Sequence, residues 1–427
     1  MLIMEKLKPI LCIIISIVLV ISFSCEGKKE QKKDENEDVV STPSQKPFKK
    51  QPPPMKEGII FQKLVGEITD IDNAVDVTET NNGGFMIAGY TYAEASRTSN
   101  EGPIRSDGYL LESNSEGKII WEQVYGGIDE DRLYSLVRVP GEGYIAAGYT
   151  KSKGAGKRDI YVVKINKNKN TEWEKVFGGQ EDEEANDIIE TSDGNYLIAG
   201  ITYSKGAGSG DAYFLKIDSK GNLIWEKTYG GPDRDLINYV ELTKDKGFIA
   251  SGQTGKTQDI YVIRLDAAGN MTWEKNFGGE YFDFGSSITQ TKDGGYMLAG
   301  IIQTEQSKKT DMYLLKLNKA GEKEWDKIIG GKDMSGAKNV IEIAEGGYIV
   351  SGTTKNTENK RDNATIMKID KKGEILWQET FGGNNVAYCN SLIQTSKGEY
   401  VFVGYIYTMV TAGDVDCNIY FVGYKRN

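Results

Sequence analysis

Carboxylates are the side chains of this sequence best suited to chemistry, because its 427 residues include no histidine. Without histidine the chain cannot form a Ser-His-Asp or Cys-His catalytic set, or a metal site with histidine ligands. Acidic residues instead cluster just after a series of Gly-Gly pairs. The candidate binding residues in these segments are Asp70, Asp72, Asp129, Asp131, Asp182, Glu183, Asp233, Asp235, Asp283 and Asp333.

Three roles are open for these acidic segments. They form a solvated rim without a ligand, they attract a basic partner through their summed field, or they bind Ca²⁺ through clustered carboxylates and carbonyl oxygens. Their spacing matches no EF-hand loop, so the sequence predicts neither a metal site nor a cofactor. A second acidic set consists of Asp107, Asp159, Asp211, Asp259 and Asp311 in five successive units, with Asn363 and Asn418 at the same position in the last two. That regularity favours hydrogen bonds to the local loop backbone over ligand binding.

The elements that position these residues belong to one repeat. All six tryptophans share one register, with spacings of 48 or 52 residues: Trp121, Trp173, Trp225, Trp273, Trp325 and Trp377. A second register has seven glycines: Gly89, Gly148, Gly200, Gly252, Gly300, Gly352 and Gly404. Such periodicity is typical of repeat architectures.

One unit predicts four short strands, at 185–191, 196–203, 211–218 and 223–229. Tight turns such as that at Asp193 and Gly194 join them. Four antiparallel strands at this period are typical of a β-propeller blade. We expect each tryptophan to pack between neighbouring blades, because a side chain of this size needs a large buried surface.

The chain ends complete the predicted ring. Segment 59–65 aligns with a fourth strand, and Phe61 occupies the tryptophan position. The last unit supplies only three strands, at 388–395, 400–408 and 418–425. The sequence therefore predicts an all-β, seven-bladed β-propeller with four antiparallel strands per blade, in which the N-terminal strand completes the last blade and leaves no open edge.

Two resemblances follow from these motifs. Asp218-x-x-Gly221-x-x-x-Trp225 and its equivalents resemble the tryptophan-docking segment of pyrroloquinoline-quinone-type propellers. That superfamily includes quinoprotein dehydrogenases and a cofactor-free outer-membrane lipoprotein of the β-barrel assembly machine, so the resemblance implies a fold and no cofactor. Units such as 191–200 are similar to bacterial and archaeal cell-surface propeller repeats, which implies a location at the cell envelope.

The N-terminus predicts export. Lys6 and Lys8 precede an uncharged apolar stretch that ends at Cys25, a pattern too short for a typical membrane span. It resembles a bacterial lipoprotein signal, with Cys25 as the lipidated residue. We expect residues 1–24 to be a signal peptide, 25–57 a charged, proline-rich tether, and 58–427 the propeller. An ordinary cleaved signal or a short uncleaved anchor remains an alternative, and each still exports the domain.

The leading functional hypothesis is a monomeric, non-enzymatic binding or scaffold protein, anchored by lipid at the outer membrane or cell surface of a bacterium, with a protein or glycan partner. The net charge of −10 argues against nucleic acid. One alternative is a carboxylate- or cation-dependent enzyme acting on glycans, which requires two acids from different blades to converge. Another is an envelope-assembly scaffold. The pairing of Cys389 and Cys417 is open, with buried free thiols expected.

Overall fold

The computed structural model describes residues 52–66, 71–92, 105–139, 141, 143–304, 309–330, 336–356, 359–409 and 415–426. Cys25, the predicted signal peptide, Asp70 and Asp333 lie outside these ranges. Within them, no helix combines the length and the apolar character needed to cross a bilayer.

The described residues form seven blades of four antiparallel strands, named a to d in order from the inside outward, which confirms the predicted fold class. Blade 1 contains β2 (Ile71–Glu79), β3 (Phe85–Tyr92), β4 (Ser106–Ser113) and β5 (Ile119–Tyr125); blade 2 contains β6 (Asp131–Val139), β7 (Gly143–Thr150), β8 (Asp159–Asn166) and β9 (Thr171–Phe177); blade 3 contains β10 (Glu183–Glu190), β11 (Tyr196–Thr202), β12 (Asp211–Ile217) and β13 (Leu223–Tyr229); blade 4 contains β14 (Leu236–Leu242), β15 (Phe248–Thr254), β16 (Asp259–Leu265) and β17 (Met271–Phe277); blade 5 contains β18 (Asp283–Gln290), β19 (Tyr296–Gln303), β20 (Thr310–Leu317) and β21 (Lys323–Ile329); blade 6 contains β22 (Gly336–Glu342), β23 (Tyr348–Lys355), β24 (Asp362–Ile369) and β25 (Ile375–Phe381); and blade 7 contains β26 (Val386–Gln394), β27 (Tyr400–Met409), β28 (Val415–Tyr424) and β1 (Ile59–Val65).

Strand a of every blade lines the central channel, because each contacts strand a of both neighbouring blades. Apolar side chains fill the space between blades, and strands b and c are buried along most of their length. One such cluster joins Ile145 and Val162 of blade 2 with Ile198 and Leu215 of blade 3. The core therefore lies between blades, and the channel wall stays available for polar side chains.

The ring closes as predicted. β1 pairs with β28 from Ile59 opposite Tyr424 to Val65 opposite Ile419. Phe61 stands in the tryptophan position, and its ring centroid lies 4.7 Å from that of Phe421. Just before β1, Pro53 is buried and its carbonyl accepts a hydrogen bond from Gln62 Nε2.

The tryptophans connect neighbouring blades through the turn between strands c and d. A Cβ atom added to Gly269 would lie 2.6 Å from the ring of Trp225 in the preceding blade, and Gly321 approaches Trp273 in the same way. The expected packing between blades is confirmed here, and a glycine is required because the indole occupies the space of a side chain. Blade 2 differs: Lys169 takes this position with φ of 67°, and its Nζ pairs with Glu112 of blade 1 at 2.5 Å.

Every strand a carries a β-bulge at the same register. A bulge leaves one residue of the strand without a partner across the ladder. In blade 3, Ala185 pairs with Gly200 and Asp187 with Ala199, so Asn186 is the extra residue. A Cβ atom on Gly200 would lie 1.9 Å from the Glu184 carbonyl oxygen. Each of the seven recurring glycines thus pairs with the residue that stands just before the bulge of its blade.

Candidate functional site

Several of the predicted rim carboxylates are buried and fix their own loops. The four buried residues that begin or precede strand a in blades 2 to 5 each accept a hydrogen bond of 2.6–2.8 Å from the backbone of the second glycine of a Gly-Gly pair. These residues are Asp131, Glu183, Asp235 and Asp283. Asp72 takes the equivalent place in blade 1 and is also buried. The first four carboxylates therefore hold the loops that enter their own blades.

Asp129, Asp182 and Asp233 are only partly buried and lie on the loops between blades. The carboxylate of Asp182 accepts a hydrogen bond of 3.2 Å from the Arg158 backbone. A binding role for the acidic rim stays a prediction, and it depends on these three residues. In the described part of the chain, no three acidic or cysteine side chains are grouped as a metal ion would require.

The recurring Asp at the start of strand c braces its own loop. Asp159 Oδ2 accepts hydrogen bonds from the backbone of Ala155 at 3.0 Å and Gly156 at 3.1 Å. Asp211 does the same for Ala207 and Gly208. The predicted structural role is confirmed in blades 2 and 3.

The central channel contains a polar cavity of about 190 Å³ that the sequence reasoning missed. Its wall includes the extra residue of each bulge, and we name these seven residues the bulge ring. The bulge ring consists of Val75, Tyr134, Asn186, Asn238, Ser286, Lys338 and Asn390. The residues that follow them form the brace ring. The brace ring consists of Asp76, Ser135, Asp187, Tyr239, Ser287, Asn339 and Ser391.

The asparagines of the bulge ring tie blades together. Asn186 donates to the carbonyl of Ile237 at 2.8 Å, and Asn238 donates to that of Gly285 at 2.9 Å. Asn390 repeats the pattern toward Ala74 at 2.8 Å. In each case the acceptor is the residue just before the bulge of the next blade. An amide at this position therefore has a structural task.

The brace ring provides a second set of links. Asp76 accepts from the backbone N–H of Leu136 at 3.0 Å, and Asp187 accepts from that of Val240 at 2.9 Å. Ser287 Oγ accepts from the backbone of Val340 at 3.1 Å. A side-chain acceptor here satisfies an N–H that the bulge leaves unpaired in the next blade.

Each ring has one polar atom without a hydrogen-bond partner at blades 5 and 6, although Ser287 still links these two blades. Ser286 Oγ is buried and has no hydrogen-bond partner, and the same is true of Asn339 Oδ1. Lys338 Nζ forms no ion pair with any residue in the described ranges, and burial lowers the pKa of this lysine. In blades 1 and 2 the bulge position holds Val75 and Tyr134, whose side chains are apolar and aromatic and carry no amide. Only blades 5 and 6, among the described residues, leave adjacent polar groups of the two rings without partners.

Two acids from different blades meet on the opposite side of the channel. The hydroxyl of Ser135 lies 3.3 Å from Asp76 Oδ2 and 2.7 Å from Asp187 Oδ1, so it stands between the two carboxylates. Burial, and to a smaller extent the charge of Asp76, raises the pKa of Asp187 to about 7. Burial also raises the pKa of Asp76.

Five aromatic rings also line the cavity. They are Tyr90, Tyr134, Tyr239, Phe284 and Tyr405. Burial raises the pKa of Tyr134 to about 12, so its hydroxyl stays protonated at neutral pH. The aromatic groups give the cavity apolar faces beside its polar floor.

The arginine beneath this aromatic wall is already neutralised. Arg132 pairs with Glu130 at 2.6 Å and donates to the Tyr92 hydroxyl at 2.6 Å. Its guanidinium also lies 4.3 Å from the centroid of the Tyr90 ring, within the range of a cation–π contact. Burial raises the pKa of Glu130, but the charges of Arg132 and Arg158 and hydrogen bonds from Lys151 and Tyr149 lower it to about 2. Lys338 is therefore the cation of this region that lacks a carboxylate.

Cys389 and Cys417 are buried thiols of blade 7 that form no disulfide bond, as expected. Cys417 Sγ lies 3.9 Å from the carbonyl oxygen of Asp72. Burial raises the pKa of Cys389 to about 12, so this thiol is not a nucleophile at neutral pH.

The fold is similar to that of several solved structures at low sequence identity. A catalytically inactive variant of the virginiamycin B lyase from Staphylococcus aureus, solved with quinupristin, has a TM-score of 0.52 and 14% identity, with 86% of this chain and 99% of that chain covered. A protein of unknown function from Dyadobacter fermentans has a TM-score of 0.47 and 12% identity, with coverage of 87% and 100%. One from Bacteroides caccae has a TM-score of 0.40 and 13% identity, with coverage of 64% and 89%.

No family model matches the sequence, and a comparison with curated proteins gives no match either. At these identities, the structural similarity shows the fold alone.

Proposed function

We propose that this protein is an exported, lipid-anchored binding protein whose central cavity holds a small polar ligand without chemical conversion. The observation that carries the proposal is a pair of buried polar atoms without hydrogen-bond partners, one in each ring, at blades 5 and 6. A buried polar group without a hydrogen bond costs about 1–3 kcal/mol, and Ser286 Oγ and Asn339 Oδ1 are two such groups beside one cavity. A bound ligand would supply the missing partners.

A mass-based experiment tests the cavity. The full chain is incubated with a small-molecule extract and examined by native mass spectrometry. We expect a bound mass on the wild-type protein and none on S286F, because the new ring fills the space beside Lys338. The matched control is S209F, on the exposed loop between strands b and c of blade 3, which should keep the bound mass. A ligand retained by S286F would place binding outside the cavity and contradict the proposal.

The anchor is the second part of the proposal. It is supported by Lys6, Lys8 and the apolar stretch that ends at Cys25, with the charged segment 26–57 as a spacer. Palmitate labelling in a bacterial host should mark the wild-type chain and C12A, but not C25A, and C25A should leave the membrane fraction. Labelling of C25A would exclude a lipoprotein anchor at this cysteine.

An enzyme acting on glycans is the second candidate, and the Asp76–Asp187 pair favours it, because glycosidases use two carboxylates from different elements. Against it, the oxygens of both acids accept hydrogen bonds from backbone N–H groups, which is a bracing arrangement. The Staphylococcus lyase variant that is inactive carries a histidine-to-alanine change, and this chain has no histidine. Release of reducing sugar from a glycan panel by the wild-type protein, abolished in D187N, would establish the enzyme instead.

A further inference from the structure

Lys338 is a cation placed where the repeat does not need one. It is the bulge residue of β22, a position that three other blades fill with an asparagine linking adjacent blades. No carboxylate acts on the pKa of Lys338, and its Nζ forms no ion pair with any of the described residues. A partly buried charge without a counter-ion is unfavourable. An anion bound in the cavity would provide the counter-ion.

Lys338, Ser286 and Asn339 lie on adjacent blades in the wall of the same cavity, and we name these three residues the corner. Ser286 occupies the equivalent bulge position of blade 5, is 9% exposed, and has no partner for its hydroxyl. It can therefore donate to the anion that pairs with Lys338. Asn339 follows Lys338 in the chain, and its Oδ1 can accept from a hydroxyl next to that anion. The corner thus matches a negatively charged group with a neighbouring hydrogen-bond donor.

A carboxylate fits this corner better than a phosphate. Phosphate sites commonly use arginine forks, backbone nests or helix N-termini. Lys338 supplies a single point charge, and no arginine is among the residues that line the cavity. The acidic pair Asp76 and Asp187 lies in the same cavity and would repel a dianion more strongly than a monoanion.

The remainder of the cavity indicates what carries the carboxylate. Tyr239, Phe284 and Tyr405 present aromatic faces, and Asn and Asp side chains supply acceptors for hydroxyls. The volume of about 190 Å³ is far above the ~10–15 Å³ that a single water needs on the same measure, so the cavity has room for one sugar ring. We propose that the cavity binds a single sugar acid, with its carboxylate on Lys338 and Ser286 and a ring hydroxyl on Asn339. This proposal rests on the proposed cavity function and names its ligand class.

Titration calorimetry on the full chain tests the assignment with four probes: D-glucuronate, D-galacturonate, D-glucose and D-glucose 6-phosphate. We expect a uronate to bind at least tenfold more tightly than glucose and than the phosphate ester. K338Q should weaken uronate binding by about ten- to hundredfold, in keeping with the loss of a charged hydrogen bond. K256Q, on an exposed loop of blade 4, should bind like the wild type, and S286A should show a smaller loss than K338Q.

Three outcomes would overturn the assignment: no uronate binding, equal binding of glucose, or uronate binding that K338Q leaves unchanged. Tighter binding of the phosphate ester would replace the carboxylate with a phosphate. Circular dichroism of K338Q separates loss of binding from loss of folding, and K338M serves as a second variant without the charge. If S286F removes a bound mass that proves to be uncharged, the sugar acid fails while the proposed cavity function stands; if no bound mass depends on S286F, both fail.

Discussion

Replacement of Lys338 with methionine should make the protein more stable. Burial lowers the pKa of this lysine, and no carboxylate of the described residues offsets the cost. Replacement of buried ionic groups by apolar residues of similar volume is often neutral or stabilising by about 1–4 kcal/mol. Because Lys338 is only partly buried, we expect the lower part of that range, about 1–2 kcal/mol in the free energy of unfolding at pH 7.

The gain should also depend on pH in a defined direction. The folded-state pKa of Lys338 lies below its unfolded value of 10.5. Between these two pKa values the unfolded chain binds more protons, so the stability of the wild type rises with pH in that window. The advantage of K338M is therefore largest below the folded-state pKa, and it shrinks as pH rises toward 10.5.

Equilibrium urea denaturation at several pH values measures this difference. K256M provides the matched control, because an exposed substitution should change the free energy of unfolding by no more than about 0.5 kcal/mol. A loss of more than about 1 kcal/mol in K338M at pH 7 would refute the reasoning, since it would mean that Lys338 has a stabilising partner in the folded protein. If K338M is more stable than the wild type but binds no uronate, Lys338 lowers the stability of the protein in exchange for binding, as binding sites commonly do.

Three further predictions concern the framework around the cavity. Because the pKa of Asp187 is raised to about 7, the folded protein binds more protons than the unfolded chain between about pH 4 and 7. The wild type should therefore lose stability as pH rises through this window, and D187N should lose less. Thermal denaturation at several pH values in this range measures the difference. G200A should destabilise the protein by more than about 3 kcal/mol or prevent folding, because its Cβ has no space at the bulge, whereas G194A, in an open turn with φ of 75°, should cost about 1 kcal/mol in urea denaturation. Cys389 and Cys417 should react with iodoacetamide only in the unfolded protein, as intact mass measurement would show; rapid labelling of the folded chain would contradict their burial.

The repeat made the fold predictable. Trp225 and Gly221 recur at a near-constant distance because each blade must present the same docking turn to its neighbour. The closure could be predicted for the same reason: segment 59–65 retains an aromatic residue, Phe61, where the repeat requires a large ring. Interactions that every blade repeats leave a periodic trace in the sequence.

The residues of the cavity were harder to predict from the sequence than the fold. A bulge inserts one residue and reverses the in-and-out alternation of strand a, so Lys338 and Ser286 cannot be assigned to the channel from period-two patterning. A carboxylate that caps a Gly-Gly turn, such as Asp131, looks in sequence like a surface charge, so the sequence does not separate acids that hold their own loops from acids that face solvent. The useful signal was the glycine register: the residue that pairs with each of those glycines stands immediately before a bulge.

The seven blades provide an internal comparison that separates structural from functional positions. Where a bulge position holds asparagine, as at Asn186, the side chain links two blades and its presence is explained by the fold. Where the same position holds Lys338, the link is absent and the charge has no partner in the described structure. A ring of seven blades can tolerate such a departure, because each blade interface adds its own contribution to stability. A binding site at Lys338, as proposed above, would take the place of one such link, and this departure from the repeat is the basis of the proposal.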